Sequence, residues 1–161
     1  MPRRVGGHAA RVKHVPSDEE VLERLPDFLI DEDTIEHYRG ILQKKLLINR
    51  CQNDGYWIYP HRPVCPQCWS DDVVPTEVSG AGSIFLLTFV HQGEPIPGVA
   101  FPIPLAGVEL VEQQGLRYLG VIVDSAREDI RIGAAVELTW TERNGAPAPA
   151  FRVVSLPSPD S

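Results

Sequence analysis

The sequence predicts a mainly β protein with helices at its N-terminus, in which a small cysteine knuckle leads into a five-stranded barrel of the OB type. Three observations carry that prediction. Cys51, Cys65 and Cys68 lie close together, and Cys65-Pro66-Gln67-Cys68 is a tight turn that sets two thiols on one side. From Val73 onward, short runs of alternating or β-branched residues are separated by turn signals. Ahead of the cysteines, apolar residues recur at helical spacing.

Residues 1–16 read as a flexible basic arm, polar and without periodicity. Helices are expected over residues 17–46. Ser17 followed by Glu20 resembles a capping box, and Val21, Leu22 and Leu25 supply an apolar stripe before Pro26. A second helix is expected from Asp33 or Thr34 to about Lys45, with Ile35, Tyr38, Ile41 and Leu42 on one face. The knuckle module occupies 47–72, entered by a short strand at Leu46–Arg50. The barrel occupies 73–155. Its strands are expected at Ser83–His91, Ala106–Glu112, Arg117–Val123, Ala134–Thr141 and Phe151–Val154. Gln113-Gln114-Gly115 and Asn144-Gly145 are the hairpin signals. Residues 93–104 are proline-rich and read as a long loop. A partly open Greek-key barrel suits five such strands, and a small β-sandwich fits the pattern nearly as well. The Pro/Ser-rich end, 156–161, is expected to be a disordered tail.

Charge and composition exclude several functions. No stretch approaches the ~18–20 apolar residues of a membrane helix, and the N-terminus lacks the apolar segment of a secretory signal. Three cysteines do not make a secreted disulfide framework, which points to a reducing cytoplasm. Of the 15 basic residues, four lie in 1–16 with no acid, so the rest of the chain sets 11 bases against 22 acids, a net −11. Such a body is ill suited to a phosphate backbone, which argues against a stand-alone nucleic-acid-binding OB domain.

A Cys-x-x-Cys turn offers zinc the close pair of thiolates that tetrahedral coordination needs, with S atoms ~2.3 Å from the metal. The second turn, Cys51-Gln52-Asn53-Asp54-Gly55, keeps the shape but replaces the second thiol by a carboxylate. Three readings stay open: zinc held by Cys51, Asp54, Cys65 and Cys68; zinc with His61 as fourth ligand; and a knuckle without metal, its cysteines acting as small apolar residues. Four protein ligands would make the ion structural, with no position for substrate.

The order of motifs resembles the acyl-CoA-associated zinc-ribbon/OB-fold proteins, a family long filed as a domain of unknown function. Leu46-Leu47-Ile48-Asn49-Arg50-Cys51 is similar to the family's entry into the ribbon, followed by Tyr59-Pro60-x-Arg62 and Cys65-Pro-x-Cys68. Ser79-Gly80-x-Gly82-Ser83 then leads into Phe85-x-x-Thr88, with Val108-Glu109-Leu110 and Ile132-Gly133-Ala134-x-Val136 further on. Asp54 departs from the family's second cysteine, and Trp69 stands where Gly is common. The resemblance spans about 33–154. It implies a helical hairpin, a rubredoxin-like zinc ribbon and an OB barrel. It also implies an accessory subunit of a thiolase-like enzyme that makes or breaks carbon–carbon bonds in CoA thioesters, including thiolytic and retro-aldol side-chain cleavage. A related set pairs with hydratases. In such assemblies the large partner carries the catalytic residues, and the small subunit helps to form the acyl-CoA channel.

The chain itself shows no nucleophile elbow, phosphate loop, dinucleotide fingerprint or zinc-protease motif, and no catalytic residue is assigned. His91, Glu94, Glu109 and Asp124 are the polar candidates of a stand-alone acyl-CoA enzyme. His91 reads more simply as a solvated strand-end residue, and Asp124 as a turn residue. Arg62 is placed to meet a CoA phosphate or, more simply, the acidic helix face. Tyr56, Trp57, Tyr59 and Trp69 either pack the ribbon onto the barrel or offer a partner surface.

Overall fold

The computed structural model describes residues 14–154. The expected tail (156–161) and all but the end of the expected arm (1–16) lie outside the described residues. Two short helices, α1 (Asp18–Arg24) and α2 (Ile35–Leu42), precede eight strands: β1 (Leu47–Cys51), β2 (Trp57–Ile58), β3 (Val73–Glu77), β4 (Ala81–Val90), β5 (Ile103–Leu110), β6 (Arg117–Ile122), β7 (Ala135–Arg143) and β8 (Ala146–Val153). No helix among the described residues is long and apolar enough to cross a membrane.

Ser17 caps α1 by accepting the Glu20 N–H at 3.2 Å, and three acids in the first turn complement the helix dipole. Ahead of α2, Asp31 and Thr34 each accept the other's backbone N–H at 3.0 Å. The second helix ends three residues sooner than expected. Lys44 adopts φ 57°, and the N–H groups of Lys44 and Lys45 turn back to the carbonyls of Ile41 and Gly40. This Schellman arrangement satisfies the last carbonyls and redirects the chain. At Gly40 the following strand packs directly on the helix: an added Cβ would lie 2.7 Å from Leu47 Cγ and 2.8 Å from the Lys45 carbonyl.

The ribbon is a three-stranded antiparallel sheet with β1 at its centre, flanked by β2 and β3. Thus β3, at the start of the 73–155 span, pairs with β1. The remaining strands close into a barrel in the order β4-β5-β6-β8-β7. It is closed rather than partly open. The reason is β8, which pairs antiparallel with β7 and adds two parallel pairings to β6, while β4 returns to β7. β8 also begins earlier than expected, despite Pro147 and Pro149. Val153 N–H reaches Ser125 Oγ and the Phe151 carbonyl accepts from Val123, so odd-numbered positions of β8 face β6. The two prolines share that side beyond the last β6 pairing, where no ladder donor is required.

Ribbon and barrel share one core. Leu46, Ile48, Trp57 and Val78 from the ribbon pack with Ile84, Val108, Leu110, Tyr118, Ile122, Val136 and Phe151. The helical hairpin forms a second cluster through Val21 and Leu25 against Ala146.

Candidate metal centre and the ribbon–barrel seam

The two turns of the knuckle are built alike. Gly55 N–H returns to the Cys51 carbonyl and Trp69 N–H to the Cys65 carbonyl, both at 3.0 Å. Each turn ends on a left-handed residue, Gly55 at φ 77° and Trp69 at φ 61°. That conformation suits glycine and strains a Trp side chain.

These turns bring Cys51, Asp54, Cys65 and Cys68 together, with one ligand atom from each lying within 4.8 Å of the others. The Cys51 and Cys68 sulfurs are 3.6 Å apart, too far for a disulfide. Cys65 Sγ is 3.5 Å from Asp54 Oδ2. Two sulfurs at ~2.3 Å from a tetrahedral ion stand roughly 3.8 Å apart, so the donors fit zinc in both chemistry and spacing. Cys51 and Cys65 are buried against Ile58, with Tyr56 and Val73 around them. Burial pushes the Cys51 thiol up to about 11. The Tyr56 N–H, 2.9 Å from Asp54 Oδ1, and then the Cys51 thiol hold the Asp54 carboxyl down to about 2. Asp54 therefore presents an ionised oxygen without help from a metal.

His61 does not join this group. Its Nε2 donates to the Leu47 carbonyl at 3.3 Å, and its ring lies 4.5 Å from that of His37. His37, which the helical pattern did not single out, is 5% exposed and donates from Nδ1 to the same carbonyl at 2.8 Å. Its Nε2 faces Tyr118 Oη at 3.4 Å. The two histidines and Tyr118 thereby join α2, the ribbon and the barrel. Burial, with His61 alongside, pushes His37 down to about 4. A second seam contact was also missed. The Gln113 amide accepts the Trp57 N–H at 2.8 Å and donates to its carbonyl at 3.1 Å, as an extra strand would. The only sequence signal for His37 is its place one turn before Ile41, and Gln113 reads simply as hairpin loop.

The remaining candidates are dispersed. Glu109 binds Arg117 at 3.2 Å and accepts the Gly115 N–H. It sits at the opposite end of the β4–β5–β6 sheet from His91 and Asp124. Asp124, at φ 45°, donates its N–H to the Gly98 carbonyl. His91 and Glu94 are exposed, with His91 set edge-on to Phe101. The arginine that meets the acidic helices is Arg39, which pairs with Asp18 and Glu36. Arg62 instead lines a cleft of about 240 Å³ between ribbon and barrel, with Tyr56, Tyr59, Pro66 and Gln113. Trp57 is buried in the shared core and Tyr59 packs against it, whereas Trp69 is 80% exposed.

A cysteine-rich ribbon seamed to a closed five-stranded barrel defines a zinc-ribbon/OB-fold protein. Residues 40–74 match the model of the ChsH2 rubredoxin-like zinc ribbon domain, and residues 75–141 that of the ChsH2 C-terminal OB-fold domain. The chain belongs to the ChsH2/DUF35 family. It is 32% identical over 132 residues to a Thermomonospora curvata protein named "probable enoyl-CoA hydratase alpha subunit", covering 79% of this chain but only 40% of that relative's length. A DUF35 domain-containing scaffold protein of Methanocaldococcus jannaschii is 32% identical over 114 residues, 70% of this chain and 79% of the relative. Among solved structures, the Ltp2-ChsH2(DUF35) aldolase superposes with a TM-score of 0.67 at 31% identity, covering 78% of this chain and 98% of that chain. A DUF35 protein of unknown function from Sulfolobus solfataricus, at 17% identity and TM-score 0.53, shares the fold.

Proposed function

We propose that this chain is the accessory subunit of a thiolase-like acyl-CoA enzyme. It braces the large subunit and helps to form the acyl-CoA channel, and the large subunit supplies the catalytic groups. The observation that carries this reading is the likeness to the Ltp2-ChsH2(DUF35) aldolase, which extends over 98% of that chain. The reaction class is carbon–carbon cleavage of a CoA thioester, by retro-aldol or thiolytic chemistry, as in side-chain degradation. The relatives named as a scaffold protein and as a hydratase subunit support a partnered role.

Within that role Cys51, Asp54, Cys65 and Cys68 hold a structural zinc ion. Four protein ligands close the coordination sphere, so the ion would tie the two knuckle turns together and take no part in the reaction. Co-expression with a thiolase-like protein from the same genome, followed by size exclusion and an acyl-CoA cleavage assay, tests the reading. Co-elution with activity that depends on both chains is expected. Separate elution, with full activity in the large chain alone, refutes it.

A further inference from the structure

An apolar stripe crosses the outside of the barrel where a solvated sheet face would ordinarily be polar. Register fixes it. Leu86 pairs with Gly107, which pairs with Leu119, so these three share one row across β4, β5 and β6. The next row on the same face sets Thr88, Leu105 and Val121 side by side, apolar except at the β4 end. The neighbours Ala106, Val108, Tyr118 and Ile122 are buried and point the other way, into the core. Leu86 is 58% and Leu119 57% exposed. Between them Gly107 carries no side chain, and an added Cβ would come within 3.3 Å of Leu86 Cβ. The row is therefore a shallow furrow with two leucine walls. A bulge between Ile84 and Leu86 turns the extra residue, Phe85, outward beside it at 47% exposure. Bulges re-aim side chains in this way.

The charges beside the furrow say what can cover it. The Arg117 guanidinium lies flat on Phe85, 3.4 Å from the ring centroid, and its partner Glu109 leaves that pair neutral. Toward the far end of β4, Arg127 lies on Phe89 at 3.7 Å, but Phe89 pairs with the buried Pro104 on the core-facing side of the sheet, so this cation caps the barrel's inner side and does not border the furrow. The furrow thus has an electrically neutral border on a body of net −11. A second copy of the chain is a poor occupant, since it would set two acidic bodies face to face. We infer that this furrow docks the large subunit of the proposed complex through an apolar ridge. The ridge seats between Leu86 and Leu119. The inference rests on the accessory-subunit reading and adds the surface to it. Exposed apolar groups at the centre of a contact, with arginine at its margin, are the composition of interface anchors.

The test uses the full chain and its co-expressed thiolase-like partner. Leu119→Asp and Leu86→Lys are measured for affinity beside Val111→Lys, a control at an exposed apolar residue outside the furrow. Circular dichroism and melting monitor folding. Each furrow variant is expected to weaken binding at least 30-fold with melting unchanged, and Val111→Lys to stay within threefold. Hydrogen–deuterium exchange on the wild-type complex provides a readout that needs no variant: protection at 85–88, 105–107 and 119–121 is expected. If wild type binds the partner while the furrow variants bind equally well and those segments stay unprotected, the surface assignment falls and the accessory-subunit reading stands. If wild type binds no such partner, both fall. Self-association of the chain that Leu119→Asp abolishes would make a second copy the occupant and overturn the inference.

Discussion

Acidification should loosen the junction of helix, ribbon and barrel through His37. In the folded chain this histidine is neutral and doubly engaged, Nδ1–H on the Leu47 carbonyl and Nε2 opposite the Tyr118 hydroxyl. The rings around it are those of His61, Tyr38, Tyr59 and Tyr118, and among the described residues no carboxylate counters the effect of burial. Its proton affinity accordingly falls from an ordinary 6.5 to about 4. Between those values the unfolded chain binds the proton and the folded chain does not, so stability must fall as pH falls. At ~1.36 kcal/mol per pH unit, His37 alone removes about 2.5 kcal/mol between pH 8 and pH 4.5, with a steepest slope of roughly 1.2 kcal/mol per unit near pH 5. His61 is shifted in the same direction, also by burial, and adds to the effect. The assay is urea unfolding of wild type and His37→Gln at half-unit steps from pH 8 to pH 4.5. Protonation of surface carboxylates and any release of zinc act on both proteins, so the difference in slope isolates His37. The variant should be less stable at pH 8 and lose most of that slope. Parallel curves for the two proteins would refute the assignment of a neutral, buried imidazole.

Other outcomes follow from single residues. The purified chain should carry about one zinc, and Asp54→Cys should resist chelation at least tenfold better than wild type, because thiolate is the softer zinc ligand; metal analysis during chelator titration checks this. Gly40→Ala should destabilise by about 1–3 kcal/mol even though alanine is favoured in helices, because its methyl would overlap Leu47 and the Lys45 carbonyl. Trp69→Gly should raise the melting temperature, relieving roughly 1 kcal/mol of left-handed strain at an exposed position. Gln113→Ala should cost about 1–3 kcal/mol by removing both partners of the Trp57 peptide groups, read by chemical unfolding.

Most of the architecture is legible in the sequence because its signals are local. Helical spacing at Ile35, Tyr38 and Ile41, alternation at Val136, Leu138 and Trp140, and the Asn144-Gly145 turn each reflect the chain's own periodicity. The grouping of the four candidate ligands was legible for the same reason. Cys51–Asp54 and Cys65–Cys68 are each fixed by a short turn, and only their meeting is long-range. The start of β8 was not legible, since Pro147 and Pro149 contradict a strand until it is known which side of them faces β6. His61 competed as a ligand because spacing cannot show that its ring faces His37.

By itself the sequence determined the order of helices, knuckle and strands, the candidate donor set Cys51, Asp54, Cys65 and Cys68, and the acidic body that disfavours nucleic acid. Only the tertiary structure decided that β8 closes the barrel, that His37, Tyr118 and Gln113 lock ribbon to barrel, and that Leu86 and Leu119 flank Gly107 on the outer face. Turns and periodicities are written over a few neighbouring residues. Strand register, burial and shared carbonyls depend on residues tens of positions apart, whose meeting no local pattern records.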